Sequence, residues 1–325
     1  MKRFLKFIFR LLFLLIIATI VFFFWASSST LKEAEYVSLT KVDVQNQFKN
    51  DSIFSIVTYN IGYLSGMTNN RPIAKPKSLF DENLQKVLAE TQKVNPTIIA
   101  FQEIDYDATR SYNINQEEQI AQLGFPYRAR TINWDEHYVP FPYWPISMHF
   151  GKVVSGQSII SKYPIKEQQR IVLQRVEDAP FYRNAFYLER LAQVVKVVLK
   201  NQEIMIINVH LEAFDKATRV KQFDEVVKLF KQYKEQYPTI LLGDFNSEAK
   251  NTSAVIQKMF AMKNVGNAAF NVDKIENTFD SKAPHKRIDY IFYTKNSIEY
   301  ISGKVLNEFE EASDHLPVFM EFKLK

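Results

Sequence analysis

The eight residues Thr239-Ile240-Leu241-Leu242-Gly243-Asp244-Phe245-Asn246 constrain the rest of the chain more than any other stretch. A β-branched residue followed by three aliphatics in a row reads as a buried strand. Gly243 permits a backbone turn that a side chain would crowd. Asp244 and Asn246, two positions apart, project to the same side of an extended backbone. A carboxylate and a carboxamide thus stand together at a strand end, where ligand sites of α/β proteins tend to lie. An Asx turn leaving a strand would use the same residues, so this stretch alone leaves both readings open.

The pattern recurs along the chain. An apolar strand over residues 53–59 ends in Asn60. A helix over 81–94, capped by Asp81, turns Leu84, Val87, Leu88 and Thr91 inward, and Pro96 stops it. A second strand, 97–101, delivers Glu103 just past its end. Strand, helix and strand alternate here, which argues for a layered α/β fold. Strands over 191–199 and 203–209 form a hairpin through Lys200-Asn201-Gln202 and lead to His210. An amphipathic helix over 216–237 precedes the Gly243 strand, and Pro238 ends it. A strand over 287–293 carries Asp289 near its start, and Ala312-Ser313-Asp314-His315 leads into a last strand over 316–322. Residues 156–161 read as a further strand, Lys162-Tyr163-Pro164-Ile165 as its closing turn, and 253–260 as helix. Between 106 and 150 only a helix over 116–123 is legible. It precedes a loop of rings and prolines from Trp134 to Pro145, which reads as a recognition rim, a membrane-facing edge, or a cluster folded onto itself.

The first 25 residues are a different material. Lys2, Arg3, Lys6 and Arg10 precede an apolar run over 11–25 that only Thr19 interrupts. With Lys6 and Arg10 snorkelling, residues 4–25 approach the roughly 20 needed to cross a bilayer. Positive charge on the leading side predicts a cytoplasmic N-terminus and a chain that is extracytoplasmic beyond Trp25. A cleaved signal peptide, leaving a secreted domain, is the competing reading, although Phe22-Phe23-Phe24 and Trp25 stand where cleavage wants small residues. The expected organisation is an anchor over 1–25, a tether over 26–50 and one domain over 51–325. Four of the 41 basic residues lie in the anchor and none of the 36 acidic ones, which leaves 37 basic against 36 acidic beyond it. That near-neutral balance lacks the basic excess of a nonspecific nucleic-acid binder. The absence of cysteine excludes disulfides, thiolate metal sites and cysteine nucleophiles.

Asn60, Glu103, His210, Asp244, Asn246, Asp314 and His315 all sit beside strand ends, which implies a shared cleft. Oxygen donors of this kind favour Mg²⁺, or Mn²⁺, and metal-assisted hydrolysis of a phosphate ester. At this point the chain resembles the endonuclease/exonuclease/phosphatase superfamily of metal-dependent phosphoesterases, which includes pancreatic-type deoxyribonucleases and neutral sphingomyelinases. The resemblance runs in order through Tyr59-Asn60-Ile61, Gln102-Glu103, Ser161-Lys162-Tyr163-Pro164, Asn208-Val209-His210-Leu211, Gly243-Asp244-Phe245-Asn246, Arg287-Ile288-Asp289-Tyr290 and Ser313-Asp314-His315. It implies a four-layer α/β/β/α sandwich with two mixed sheets, here preceded by one transmembrane helix. It implies Glu103 as principal metal ligand, with Asn60 and Asp314 beside it. It gives catalytic roles to His210, Asp244, Asn246, Asp289 and His315: Asp289 orients His315, Asn246 holds a phosphoryl oxygen, and either Asp244 or His315 is the general base. A histidine at 210 resembles the deoxyribonuclease, sphingomyelinase and inositol-phosphatase branches. The expected activity is a Mg²⁺-dependent phosphodiesterase acting on phospholipid headgroups, sphingomyelinase-like. The alternatives are a nuclease, or a non-catalytic binding module of the same fold. The expected partners are the phosphodiester and, through residues 4–25, the membrane; no obligate protein partner is inferred.

Overall fold

Two sheets stacked face to face organise the chain, seen in a computed structural model that describes residues 1–42 and 52–325. In chain order the elements are α1 (Lys2–Ala26), β1 (Val37–Lys41), β2 (Phe54–Asn60), α2 (Lys77–Val94), β3 (Ile98–Asp105), α3 (Gln116–Ala121), β4 (Tyr127–Val139), β5 (Gly151–Ser161) and β6 (Ile165–Val172). They continue with α4 (Phe181–Asn184), β7 (Leu191–Leu199), β8 (Gln202–His210), α5 (Lys216–Lys234), β9 (Thr239–Asp244), α6 (Gln257–Phe260), β10 (Val265–Asn267), β11 (Asp289–Thr294), β12 (Ile298–Val305) and β13 (Val318–Leu324). The seven-stranded sheet runs β1-β4-β5-β3-β2-β13-β12 and the six-stranded sheet β10-β11-β9-β8-β7-β6. Both are mixed: β2 and β3 pair in parallel, as do β8 and β9, among antiparallel neighbours.

The core lies in three slabs. Ile56, Ile98, Val195, Ile206, Ile240 and Ile291 fill the space between the sheets. Phe80, Leu84 and Val87 of α2 cover the outer face of the larger sheet. Phe223, Val226 and Phe230 of α5 cover the outer face of the smaller one. Strands buried on both faces need no polar alternation, which is why β3, β8 and β9 read as continuous apolar runs. The expected α/β/β/α sandwich is therefore what forms.

Gly243 shows how closely the strands approach. Its φ is +134°, and a Cβ there would stand 2.0 Å from the Val209 carbonyl oxygen of the parallel neighbour. Only glycine fits.

Several boundaries differ from the sequence reading. α2 starts a turn early, after Pro76, and Asp81 pairs with Lys77 at 2.6 Å instead of capping the helix. The helix expected over 253–260 is confined to α6. The expected tether is ordered in part: β1 joins the edge of the larger sheet, paired with β4, while residues 43–50 of that segment lie outside the described residues. Much of the supposedly irregular 106–150 stretch is the 13-residue strand β4. Its buried positions include Thr131, Asn133, Asp135 and Glu136, so burial left no apolar signature. β6 and β12, unread in the sequence, are edge strands with largely polar, partly exposed faces.

α1 has the length and composition of a membrane span or a signal sequence. Its C-terminal turn docks on the domain. Phe22 meets Tyr138, Phe23 meets Phe181 and Phe186, and Trp25 stacks on Tyr138.

Candidate active site

Strand register brings the polar ends together. In the smaller sheet His210 pairs with Asp244 across the parallel β8–β9 ladder, and Asp244 pairs with Asp289 across β9–β11. Three of the side chains singled out in the sequence thus stand abreast on adjacent strands. In the larger sheet Asn60 pairs with Gln102 at the ends of β2 and β3. β13 runs beside β2, so Asp314 and His315, just before it, reach the same edge. The stacked sheets present these two edges to one cavity of about 990 Å³.

Glu103 lies inside β3, not past its end as expected. It occupies an irregularity where pairing with β5 skips from Phe101 to Ile104, and its φ is +51°. A bulge of this kind re-aims a side chain, here into the cavity. Glu103 Oε2 accepts a hydrogen bond from Asn69 Nδ2 at 2.9 Å, and the same amide reaches Asp314 Oδ1 at 3.3 Å. Burial, then the charge of Asp314, raises the Glu103 carboxyl above its ordinary value.

His315 Nδ1 lies 3.0 Å from Asp289 Oδ2, and that oxygen also accepts from Thr278 Oγ1 at 2.5 Å. Burial would lower the imidazole, but Asp289 and then Asp244 hold it well above its ordinary value. Asp244 Oδ1 accepts the Asn246 backbone N–H at 2.8 Å and Oδ2 accepts Asn60 Nδ2 at 3.0 Å. Asp244 Oδ2 also lies 3.5 Å from His210 Nε2 and 3.8 Å from His315 Nε2. Burial and the neighbouring Asp289 raise the Asp244 carboxyl to about 7. Asn60 Oδ1 accepts the Gly62 N–H at 3.1 Å, so this residue both caps a turn and faces the site. Asn246, at φ +46°, donates its side-chain amide to the Leu211 carbonyl at 2.9 Å.

Two residues at the site were not singled out in the sequence. Arg190 is buried, with Nη1 2.7 Å from His210 Nε2 and Nε 3.5 Å from a Glu212 carboxylate oxygen. Burial, then Arg190, pushes His210 well below its ordinary value; a neutral imidazole accepts the guanidinium hydrogen at Nε2. The only signal for Arg190 was its position before the strand whose first residue, Leu191, faces His210. Asn69 lies in a Gly/Asn-rich loop with no periodicity to mark it.

The donor chemistry fits a hard divalent cation. Glu103 and Asp314 are two partly buried carboxylates that share a single amide donor, an arrangement of like charges that a cation between them would relieve. Asp244, Asp289 and His315 also offer donor atoms within 4.8 Å of one another. In that trio, however, Asp289 and His315 are engaged with each other, so Glu103 and Asp314 are the better-suited pair.

A family model described as Endonuclease/Exonuclease/phosphatase family matches residues 57–315. Comparison with curated proteins gives no significant sequence match. Among solved structures, an endonuclease/exonuclease/phosphatase from Beutenbergia cavernae superposes with TM-score 0.64 at 19% identity, covering 84% of this chain and 72% of that one. The human Nocturnin catalytic domain with bound sulfate gives 0.60 at 17% identity, covering 89% of this chain and 98% of that one. TDP2 from D. rerio, complexed with a single-strand DNA product, gives 0.58 at 16% identity, covering 84% and 100%. At such identities the likeness is one of fold. The family match spans most of the chain, and the chain belongs to the endonuclease/exonuclease/phosphatase family of metal-dependent phosphoester hydrolases.

Proposed function

We propose that this chain is a membrane-anchored, extracytoplasmic, Mg²⁺-dependent phosphodiesterase that cleaves phospholipid headgroups. One observation carries the substrate class: Phe23, in the last turn of the apolar helix, lines the same cavity as Glu103, Asp244 and His315. An apolar helix in the wall of the cleft suits an enzyme whose substrate lies in the leaflet beside it. The near-neutral charge of the remaining chain supports the same reading. So do the rings Phe141, Tyr143, Tyr182, Phe186 and Phe214 around the cavity.

In this reading Glu103 and Asp314, with Asn60 behind them, hold the cation, which when bound neutralises charge on the phosphoryl oxygens. Asp244, at the floor of the cleft between the two imidazoles, takes the proton of the attacking water. His315, oriented by Asp289, presents Nε2 to a phosphoryl oxygen. Arg190 fixes His210 as a neutral acceptor and adds positive charge beside the cleft. Asn246 holds a further phosphoryl oxygen. D. rerio TDP2 is complexed with a single-strand DNA product, and action on nucleic acid is the competing reading.

Turnover of the full-length chain reconstituted in vesicles is the test. It is measured in parallel on sphingomyelin, phosphatidylcholine, inositol phosphates and plasmid DNA with Mg²⁺ present. We expect release of a phosphorylated headgroup from lipid to exceed nicking of plasmid by at least about tenfold. Nicking without headgroup release would overturn the lipid reading.

A further inference from the structure

Tyr143 and Tyr182 line the cavity, and they and their neighbours in sequence include large apolar side chains that are mostly exposed. Tyr143 is 72% exposed, Trp144 76%, Ile146 61%, Phe181 76% and Tyr182 53%. They come from two separate segments, the loop after β4 and the short helix α4. Neither segment is flat polar surface with a stray ring; together they form an apolar edge, and edges of that kind mark interaction sites.

The structure says what covers it. Phe181 packs edge-on against Phe23 at 5.8 Å, and Phe186 does so at 5.4 Å. Phe23 is three residues from the end of α1, about 4.5 Å along its axis. At about 37 Å the helix matches or exceeds the hydrocarbon thickness it would cross. A side chain touching Phe23 therefore lies at the level of the last turn of the span, at the lipid–water interface. Tyr143 and Tyr182 line the same cavity as Phe23, which ties both rim segments to the cleft that the last turn of α1 helps to wall.

The position is also fixed. Asp135 receives hydrogen bonds from the Thr30 backbone at 2.9 Å, the Thr30 hydroxyl at 2.6 Å, the Leu31 backbone at 2.9 Å and the Tyr36 hydroxyl at 3.1 Å. His137 donates its backbone N–H to the Ser28 carbonyl at 3.0 Å. The chain leaving α1 is thereby strapped onto β4.

We infer that Tyr143, Trp144, Ile146, Phe181 and Tyr182 form a bilayer-inserted edge that seats the cleft mouth in the headgroup layer. Aromatic residues with a polar tip suit that depth. The inference rests on the reading of α1 as a membrane span, and it is independent of which phosphodiester is cleaved. A lipid headgroup would then enter the cleft without crossing water.

The chain contains no cysteine, so single cysteines report unambiguously. Trp144→Cys and Phe181→Cys are labelled with a nitroxide in the full-length chain in phosphatidylcholine vesicles. Phe13→Cys serves as the control within the span and Asn201→Cys as the control in the exposed β7–β8 turn. We expect collisions with oxygen to exceed those with a water-soluble nickel chelate at positions 144 and 181, as at 13, with the order reversed at 201. Labels at 144 and 181 that behave like the one at 201 would overturn the inference. A water-exposed label at 13 would overturn it too, by removing the span. Immersed rim labels in a protein that nicks plasmid and leaves lipid intact would support the edge while overturning the substrate reading.

Discussion

The Asp289 carboxylate decides what His315 can do. Its hydrogen bond to Nδ1 leaves Nε2 turned toward Asp244 and Asn60. Replacing His315 by Ala should lower phosphodiester turnover at least about 100-fold, and Asp289→Asn about tenfold or more. Both should leave the melting temperature within a few degrees, measured on the same preparations. Wild-type rates in either would remove the pair from the reaction. A second titratable residue concerns stability, not turnover. Glu136 is buried in β4 with one carboxylate oxygen lacking a hydrogen-bond partner, and burial, then Asp135, pushes its carboxyl up to about 8. Its unfolded value is about 4.3. The raised folded value means that the fold favours the neutral acid and disfavours its ionised form. Its favourable contribution is therefore complete below about pH 4.3 and is lost as the pH rises through about 8. Glu136→Gln should raise the melting temperature by several degrees at pH 9 and change it little at pH 4, as thermal unfolding in detergent would read. Most of the site residues named from the sequence lie at or beside strand ends, where an apolar run makes the next polar residue conspicuous, and Glu103 lies within β3, two residues before its end. Arg190 and Asn69 follow no such run, and only the fold reveals them.

At the level of elements, what was legible depended on how a strand is buried. β3, β8 and β9 announced themselves because both faces are apolar. β4 did not, because buried Asn133, Asp135 and Glu136 interrupt its pattern; Asn133, for example, donates to the Glu189 carbonyl at 3.1 Å. The aromatic stretch after Trp134 divides between its two readings. Trp134, Val139 and Phe150 fold into a small buried cluster, whereas Tyr143 and Trp144 stay outside. The stretch expected to be a tether carries the strap onto Asp135 and the edge strand β1, neither of which has a periodicity long enough to read. The strap has a functional consequence under the proposed reading. Asp135→Asn turns an amide donor toward the Thr30 and Leu31 N–H groups and loosens the anchor from β4. Headgroup release from vesicles should fall about tenfold, while hydrolysis of a water-soluble diester should stay within about twofold. Equal losses on both substrates would mean that Asp135 serves the fold of the domain and not its seating.

For the whole molecule, the two sheets are held in register beneath the site by buried amides. Gln102 Nε2 donates to Asn208 Oδ1 at 2.6 Å, and Asn208 Nδ2 donates to the Phe101 carbonyl at 3.0 Å. Buried groups of this kind carry a penalty when mispaired, so they specify one stacking of the sheets over its neighbours. That stacking is what turns residues as distant in sequence as Asn60 and His315 into one site, with Asn60 Nδ2 3.5 Å from His315 Nε2. The four-layer architecture was legible through motif order, and the placement of the cleft against α1 was not, since no local pattern encodes it. The most direct test of a cation-dependent site built from these strand ends is hydrolysis of bis-p-nitrophenyl phosphate by the full-length chain as Mg²⁺ is titrated. The account predicts saturable dependence on the metal, loss of activity in EDTA, and a rate at least about 100-fold lower in Glu103→Gln. An unchanged rate in EDTA, or a wild-type rate in Glu103→Gln, would contradict it.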